Sequence, residues 1–266
     1  MKNLKNLSKL ILLFLVSTLA MPAFSQGVAI YKKDGTMVKY AYEEIDSIVT
    51  YNYGETPETP ENPDTPVTPP AETQYEAVDL GLPSGIKWAT CNVGATKPEE
   101  YGGYYAWGET EEKFYCGWDN YKWCNGSDNT MTKYSTGSTY GIIDNKTVLE
   151  HTDDVANVKW GGKWRMPTRA ELNELRSECN WQHITLNGIR GYKVTSKTNG
   201  NSIFLPQAGQ RSDKGISDAG VSGYYWSSSL CDNNSDRAYV FNLYNAYASL
   251  YYSGRCIGYS VRPVCD

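Results

Sequence analysis

The chain has 266 residues, with 25 Lys+Arg against 30 Asp+Glu and a formal net charge of −5. That length holds one large domain or two modest ones, and the acidic balance lacks the electrostatic footprint of a nucleic-acid binder. Only two histidines, His151 and His183, are available for a metal site or a His-based triad, while 22 Tyr, 24 Gly and 8 Trp argue against disorder and for strands and turns.

Lys2, Lys5 and Lys9 precede an apolar run from Leu10 to Ala20 and a small-residue cleavage site at Ala23-Phe24-Ser25. Residues 1–25 therefore read as an export signal. The run is about half of the roughly 20 residues that span a bilayer. No cysteine lies near the cut. The expectation is an exported chain, periplasmic, surface-held or secreted, without a transmembrane segment. Its seven cysteines are Cys91, Cys116, Cys124, Cys179, Cys231, Cys256 and Cys265. The odd number leaves at least one thiol unpaired or paired between chains, and no C-x-x-C spacing suggests zinc or thioredoxin-like chemistry.

Residues 26–53 form a small module. Val28–Tyr31 and Met37–Tyr40 flank Asp34-Gly35, a type I′ hairpin signal, and Glu44–Val49 alternates like a further strand. A lone hairpin is marginal in water, so this one needs a third strand, the main domain or another copy to pack on. It is also where an envelope partner would dock. Residues 54–74, with regular prolines and no large apolar residue, read as an extended Pro/Thr-rich linker.

Residues 75–266 hold all eight tryptophans and hence the main core. Pro167-Thr168 opens one clear helix: Thr168 and Glu171 form a capping box, and Leu172, Leu175 and Cys179 share a face. Gly191–Ser196 and Ser202–Leu205 flank Asn199-Gly200, a second type I′ signal. Ala238–Phe241, Ala248–Tyr251 and Tyr259–Val264 read as strands. One helix among many short antiparallel strands is an α+β domain.

Four stretches carry a resemblance: Val78–Gly85 with Trp88–Ala95; Tyr105-Ala106-Trp107-Gly108-Glu109; Trp164–Thr168 leading into the helix; and Gly223–Ser229 with Ser260–Val264. Over about 190 residues the chain resembles the Fibrobacter succinogenes major paralogous domain family of exported Bacteroidetes proteins. The resemblance implies a C-type-lectin-like fold, shared with formylglycine-generating enzymes and with the variable proteins of diversity-generating retroelements. It also implies a disulfide from the helix to the last strand, here Cys179 with Cys265; Cys91 with Cys124 is a second pairing to examine.

The tail has its own composition. Lys, Glu, Gln, Met and Trp supply 51 of the 266 residues, yet none occurs from Ser227 to Asp266. Their codons all end only in purines, the signature of diversification that rewrites adenines; a plain strand-and-turn composition is the alternative. Either way the segment suits recognition, because Tyr gives large contact area at low entropy cost while small polar residues adapt. The candidate ligand-binding residues are Asp232, Asn233, Asn234, Asp236, Arg237, Tyr239, Phe241, Tyr244, Tyr247, Tyr251, Tyr252, Arg255, Ile257 and Tyr259. Alternation places Ala238 and Val240 inward, with Tyr239 and Phe241 outward.

Catalytic and metal readings are weaker. Asp153-Asp154 with Asp144 could hold calcium, but a solvated acidic loop is the better reading, and the Glu-Pro-Asn and Gln-Pro-Asp loops of sugar-binding lectins do not occur. Glu99-Glu100 and Glu111-Glu112 read as solvated pairs. Neither histidine sits near a nucleophile motif, and no phosphate-binding glycine loop occurs, so no cofactor is implied. Cys256 is the one counterpart to the formylglycine-generating cysteines, and its surroundings do not match that motif. The expectation is a non-enzymatic, exported binding protein for a protein or glycan ligand, with a structural envelope or adhesin role as the second reading.

Overall fold

The computed structural model describes residues 27–31, 37–41, 75–244 and 247–266; the expected export signal over 1–25, the expected linker over 54–74 and the strand expected over 44–49 lie outside them. The chain divides into two compact units, Met1–Val67 and Thr68–Asp266. In the first, β1 (Gly27–Tyr31) and β2 (Met37–Ala41) pair antiparallel with Tyr31 opposite Met37. A two-residue turn at Asp34-Gly35 would set Tyr31 opposite Val38, so the ladder is one residue away from the expected type I′ register.

The second unit is built from small antiparallel sheets and few helices. In chain order it holds β3 (Ala77–Asp79), β4 (Lys87–Ala89), α1 (Val155–Trp160), α2 (Arg169–Glu178), β5 (Cys179–Leu186), β6 (Ile189–Ser196), β7 (Ser202–Pro206), β8 (Gln210–Ser212), β9 (Gly215–Ser217), β10 (Gly223–Leu230), β11 (Arg237–Tyr244), β12 (Tyr247–Gly254) and β13 (Val264–Cys265). Its three-stranded sheets run β13-β4-β3, β5-β6-β7 and β10-β11-β12, beside a β8-β9 pair.

Thr168 caps α2 as the sequence requires. Its Oγ1 accepts from the Glu171 N–H, and the Glu171 carboxylate accepts from the Thr168 N–H at 2.7 Å. Leu172, Leu175 and Cys179 are buried beneath it. The shorter α1 escaped the sequence reading. Asp154 caps it, its carboxylate accepting from the Ala156, Asn157 and Met166 N–H groups. The Asp pair examined for calcium is thus a helix start. Asp153 pairs with Lys133 at 2.5 Å, and Asp144 accepts from the Tyr134 and Ser135 amides.

Turn chemistry shifts too. The β6–β7 hairpin exists, but Thr195 faces Ser202 and Ser196 N–H bonds Asn201 O, so the loop holds four residues rather than a two-residue Asn199-Gly200 turn. The two-residue turn lies one hairpin earlier, at Asn187-Gly188 between β5 and β6, where Leu186 pairs with Ile189 and both turn residues have positive φ (48° and 86°). The strand read over Tyr259–Val264 is mostly isolated bridges, such as Tyr105 with Tyr259, and only Val264–Cys265 is a strand.

The β10-β11-β12 sheet separates two parts of the core. Tyr225, Phe241 and Leu243 pack on one face with Leu172 and Leu175 of α2. Trp226, Ala238 and Val240 pack on the other with Trp107, Tyr259 and Val261. β11 is the central strand, covered on both sides. Phe241 is therefore buried, not outward as strict alternation suggested, because alternation shows one wet face only where a sheet has one.

All seven cysteines are free. Cys179 packs with Leu172 and Leu175 under α2, whereas Cys265 lies with Ala89 and Trp164. They belong to different parts of the core, and the expected Cys179–Cys265 disulfide is absent; so is Cys91–Cys124.

Candidate functional site

The expected recognition segment splits in two. Residues 255–265 run through the interior, with Ile257 the half-buried exception. Arg255 is fully buried. Its guanidinium donates to the Tyr121 hydroxyl at 2.9 Å and to the carbonyls of Ser235, Tyr134 and Lys133 at 2.7–3.0 Å, and it lies 4.9 Å from the Trp107 ring. Arg262 does the same among Asn92, Ala89, Thr90 and Phe204. Tyr259 exchanges two backbone bonds with Tyr105, and its ring stacks on Tyr224 at 4.9 Å. Phe241, Arg255 and Tyr259 are therefore parts of the scaffold rather than of a contact surface.

Residues 232–253 carry what is exposed. Tyr244 is 48% exposed, Tyr247 76%, Tyr251 57% and Tyr252 37%. These tyrosines occupy one hairpin, β11–β12, with no charged residue between Tyr239 and Gly254. The rings of Tyr251 and Tyr252 stack at 5.0 Å and 7°. Arg237 reaches over Tyr252, its guanidinium carbon 5.4 Å from the ring centroid, and pairs with Asp236 at 3.4 Å.

Beside them lies a second polar group. Asp232 accepts from the Tyr239 hydroxyl at 2.8 Å and from Arg169 at 2.7 Å, and the Arg169 guanidinium sits 4.0 Å from the Tyr239 ring centroid. Partial burial and the Asp232 carboxylate hold the Tyr239 hydroxyl above its ordinary pKa. Arg169 was not among the sequence candidates. Its signal is a cation at the first position of a helix, where the dipole disfavours positive charge. Asp232 offsets that cost. Asn233 is exposed and Asn234 half-buried; Tyr140 donates to the side chain of Asn234 at 3.2 Å. This ties the loop before β11 to the 130–140 region.

Other candidates are placed without a chemical constellation. His183 contacts Gln207 at 2.9 Å and the Tyr192 ring, and His151 is exposed. Burial, with Cys116 nearby, pushes the Cys256 thiol up to about 12, which withholds the thiolate a nucleophile needs. Of the Glu pairs, Glu99 accepts from Asn187, Glu100 from the Thr96 amide, Glu111 from Lys159 and Glu112 from the Tyr104 amide. A shallow groove of about 320 Å³ beside β6 and β7 is lined by Ile184, Leu186, Lys193 and Phe204. Among the described residues no group of three His, Cys, Asp or Glu could hold a metal ion, and no helix is long and apolar enough to cross a membrane.

No family model matches the chain, and no curated protein and no solved structure matches it either.

Proposed function

We propose that the chain is an exported, C-type-lectin-like binding protein that recognises a protein or glycan through the exposed tyrosines of the β11–β12 hairpin. One observation carries this reading. Four tyrosines on a single hairpin stand in solvent while the same sheet buries Tyr225, Phe241 and Leu243. Large amphipathic rings are costly to leave wet without a partner and are frequent anchors of interfaces. Arg237 lies over Tyr252, and Tyr239, which faces Tyr252 across the ladder, holds Asp232 and Arg169, so polar groups that can orient a ligand stand at this end of the hairpin. The tail's missing residue types run from Ser227 to Asp266 and fit diversification, and the exposed positions free to vary lie within 232–253, since residues 255–265 are committed to the core. A near-copy of the coding sequence for this stretch, differing only at adenines and lying beside a reverse transcriptase gene, is the mark of that process.

The test is a Tyr247→Ala/Tyr251→Ala variant screened beside the parent chain against glycan arrays and a displayed-protein library. Ligands of the parent should lose at least about tenfold in affinity, with unchanged thermal unfolding. Ligands retained at full affinity would overturn the reading.

A further inference from the structure

The backbone of β12 is as informative as its side chains. Trp226 N–H donates to Ser260 O, and Ser260 N–H donates to Tyr224 O. The polar groups of Tyr224 and Trp226 thus point away from β11, and those of Gly223 and Tyr225 point into it. Gly223 and Tyr225 face Leu243 and Phe241, whose backbone groups are therefore spent on β10. Since the two sides of a strand alternate, Tyr244, Asn242 and Val240 bond β12, at Tyr247, Ser249 and Tyr251. Ala248, Leu250 and Tyr252 are left with N–H and C=O aimed outward. Gly254, next in that series, behaves accordingly: its carbonyl accepts from Ile257 N–H. Among the described residues nothing bonds the outward groups of Ala248, Leu250 and Tyr252.

β12 is the edge of its sheet. Edge strands are usually blunted by charge, proline or a bulge. Tyr247–Gly254 has none of these: it carries no Lys, Arg, Asp, Glu or Pro, and its register with β11 is unbroken.

We infer that β12 pairs antiparallel with β12 of a second copy of this chain, joining the two sheets across a two-fold axis at Leu250. The register follows from which groups face out. Leu250 meets the partner's Leu250, and Ala248 meets the partner's Tyr252, each such pair exchanging two backbone bonds. The intervening positions then set Ser249 against the partner's Tyr251 and Tyr247 against the partner's Ser253. Every large ring faces a small side chain. No like charges meet at the axis, because the strand has no charge at all. A register shifted by two residues loses these matches and sets Tyr252 against the partner's Leu250. The pairing leaves Tyr247 and Tyr251 of both copies on one continuous face. An edge alone covers little area, so the dimer is weak and forms with rising concentration.

The test uses the full chain in sedimentation equilibrium, with two variants. Ala248→Pro removes an outward N–H and leaves the β11 ladder whole. Ser249→Cys/Tyr251→Cys places thiols in facing pairs about 4.5 Å apart between Cα atoms, within disulfide reach. The parent should move from monomer to dimer mass as concentration rises, and Ala248→Pro should return the mass to the monomer value. The double cysteine variant, oxidised with diamide, should give a reducible dimer that neither the parent nor Ser249→Cys alone gives. If Ala248→Pro fails to fold, the cross-link decides. A parent that stays monomeric up to about 1 mM would overturn the inference. So would a dimer that survives Ala248→Pro, or a monomer whose edge instead captures an unrelated extended peptide. None of these outcomes depends on the tyrosines binding a ligand.

Discussion

The guanidinium of Arg255 has no carboxylate partner among the described residues. It is held instead by three carbonyls, a tyrosine hydroxyl and the face of Trp107. This draws the loop before β11 and the loop around Lys133 onto the chain that leaves β12. Arg255→Met would strand those carbonyls in a buried site, where each unsatisfied polar group costs about 1–3 kcal/mol. The variant should lose at least about 3 kcal/mol in urea unfolding; a loss near zero would show that water serves the carbonyls equally well. The same substitution therefore says nothing about ligand binding. In the sequence, Arg255 and Arg237 look alike, each two residues after a serine and followed by a small residue. What separates them is tertiary: one meets Trp107 and Lys133 from far along the chain, the other meets solvent. Tyr259 and Phe241 are buried, against the expectation from their residue type, for the same reason. Residue type announces an aromatic surface, but only packing decides which rings stay outside.

At the scale of elements, local chemistry was most legible where a segment satisfies itself. The α2 start is such a case, since Thr168 and Glu171 cap each other within one turn. Burial pushes the Glu171 carboxyl up, but the Arg165 fork at 2.6 and 2.8 Å and the Thr168 N–H outweigh it, so its pKa lies below the ordinary 4.5. A carboxylate depressed in the folded state adds stability that is fully present above pH 4.5 and lost as pH falls through the folded value. Parent stability should decline with acidification below 4.5, and Glu171→Gln, which keeps a capping acceptor, should flatten that decline. Equal slopes for the two proteins in acid denaturant titrations would count against the role given to Arg165. Turns were less legible. Asn187-Gly188 and Asn199-Gly200 are the same dipeptide, yet only the first makes a two-residue turn. The second is part of a wider loop in which Asn199 and Asn201 both donate to Asp79 O, a contact 120 residues away in the chain. A dipeptide signal carries no information about such a distant anchor.

Across the second unit, the large apolar residues of the motif stretches prove to be core rather than contact. Trp107 and Trp226 are fully buried, and their indole N–H groups donate to the Ser227 and Tyr105 carbonyls. Trp88 and Leu80 sit in the other half of the core. The stretches that carry the resemblance therefore describe how the unit packs, and they are silent on what it binds. The cysteines follow the same logic: six are buried and Cys124 is half-buried, all reduced. A denatured sample should titrate seven thiols, whereas the folded chain should react slowly. Two fewer in the denatured sample would show that one disulfide forms, against the seven free thiols. Sequence spacing could not separate these cases, because pairing depends on which half of the core each thiol enters.

The sheet β13-β4-β3 places both ends of the unit on one strand: β3 and β13 each run antiparallel to β4, on opposite sides of it, and hence parallel to one another. Tension applied between Tyr75 and Asp266 would drag β3 and β13 in opposite directions along that shared strand. Their bonds to β4 would be loaded together, in shear, instead of parting one after another as in a zipper. Such a unit should resist stretching at its ends better than pulling across the tip of the β11–β12 hairpin.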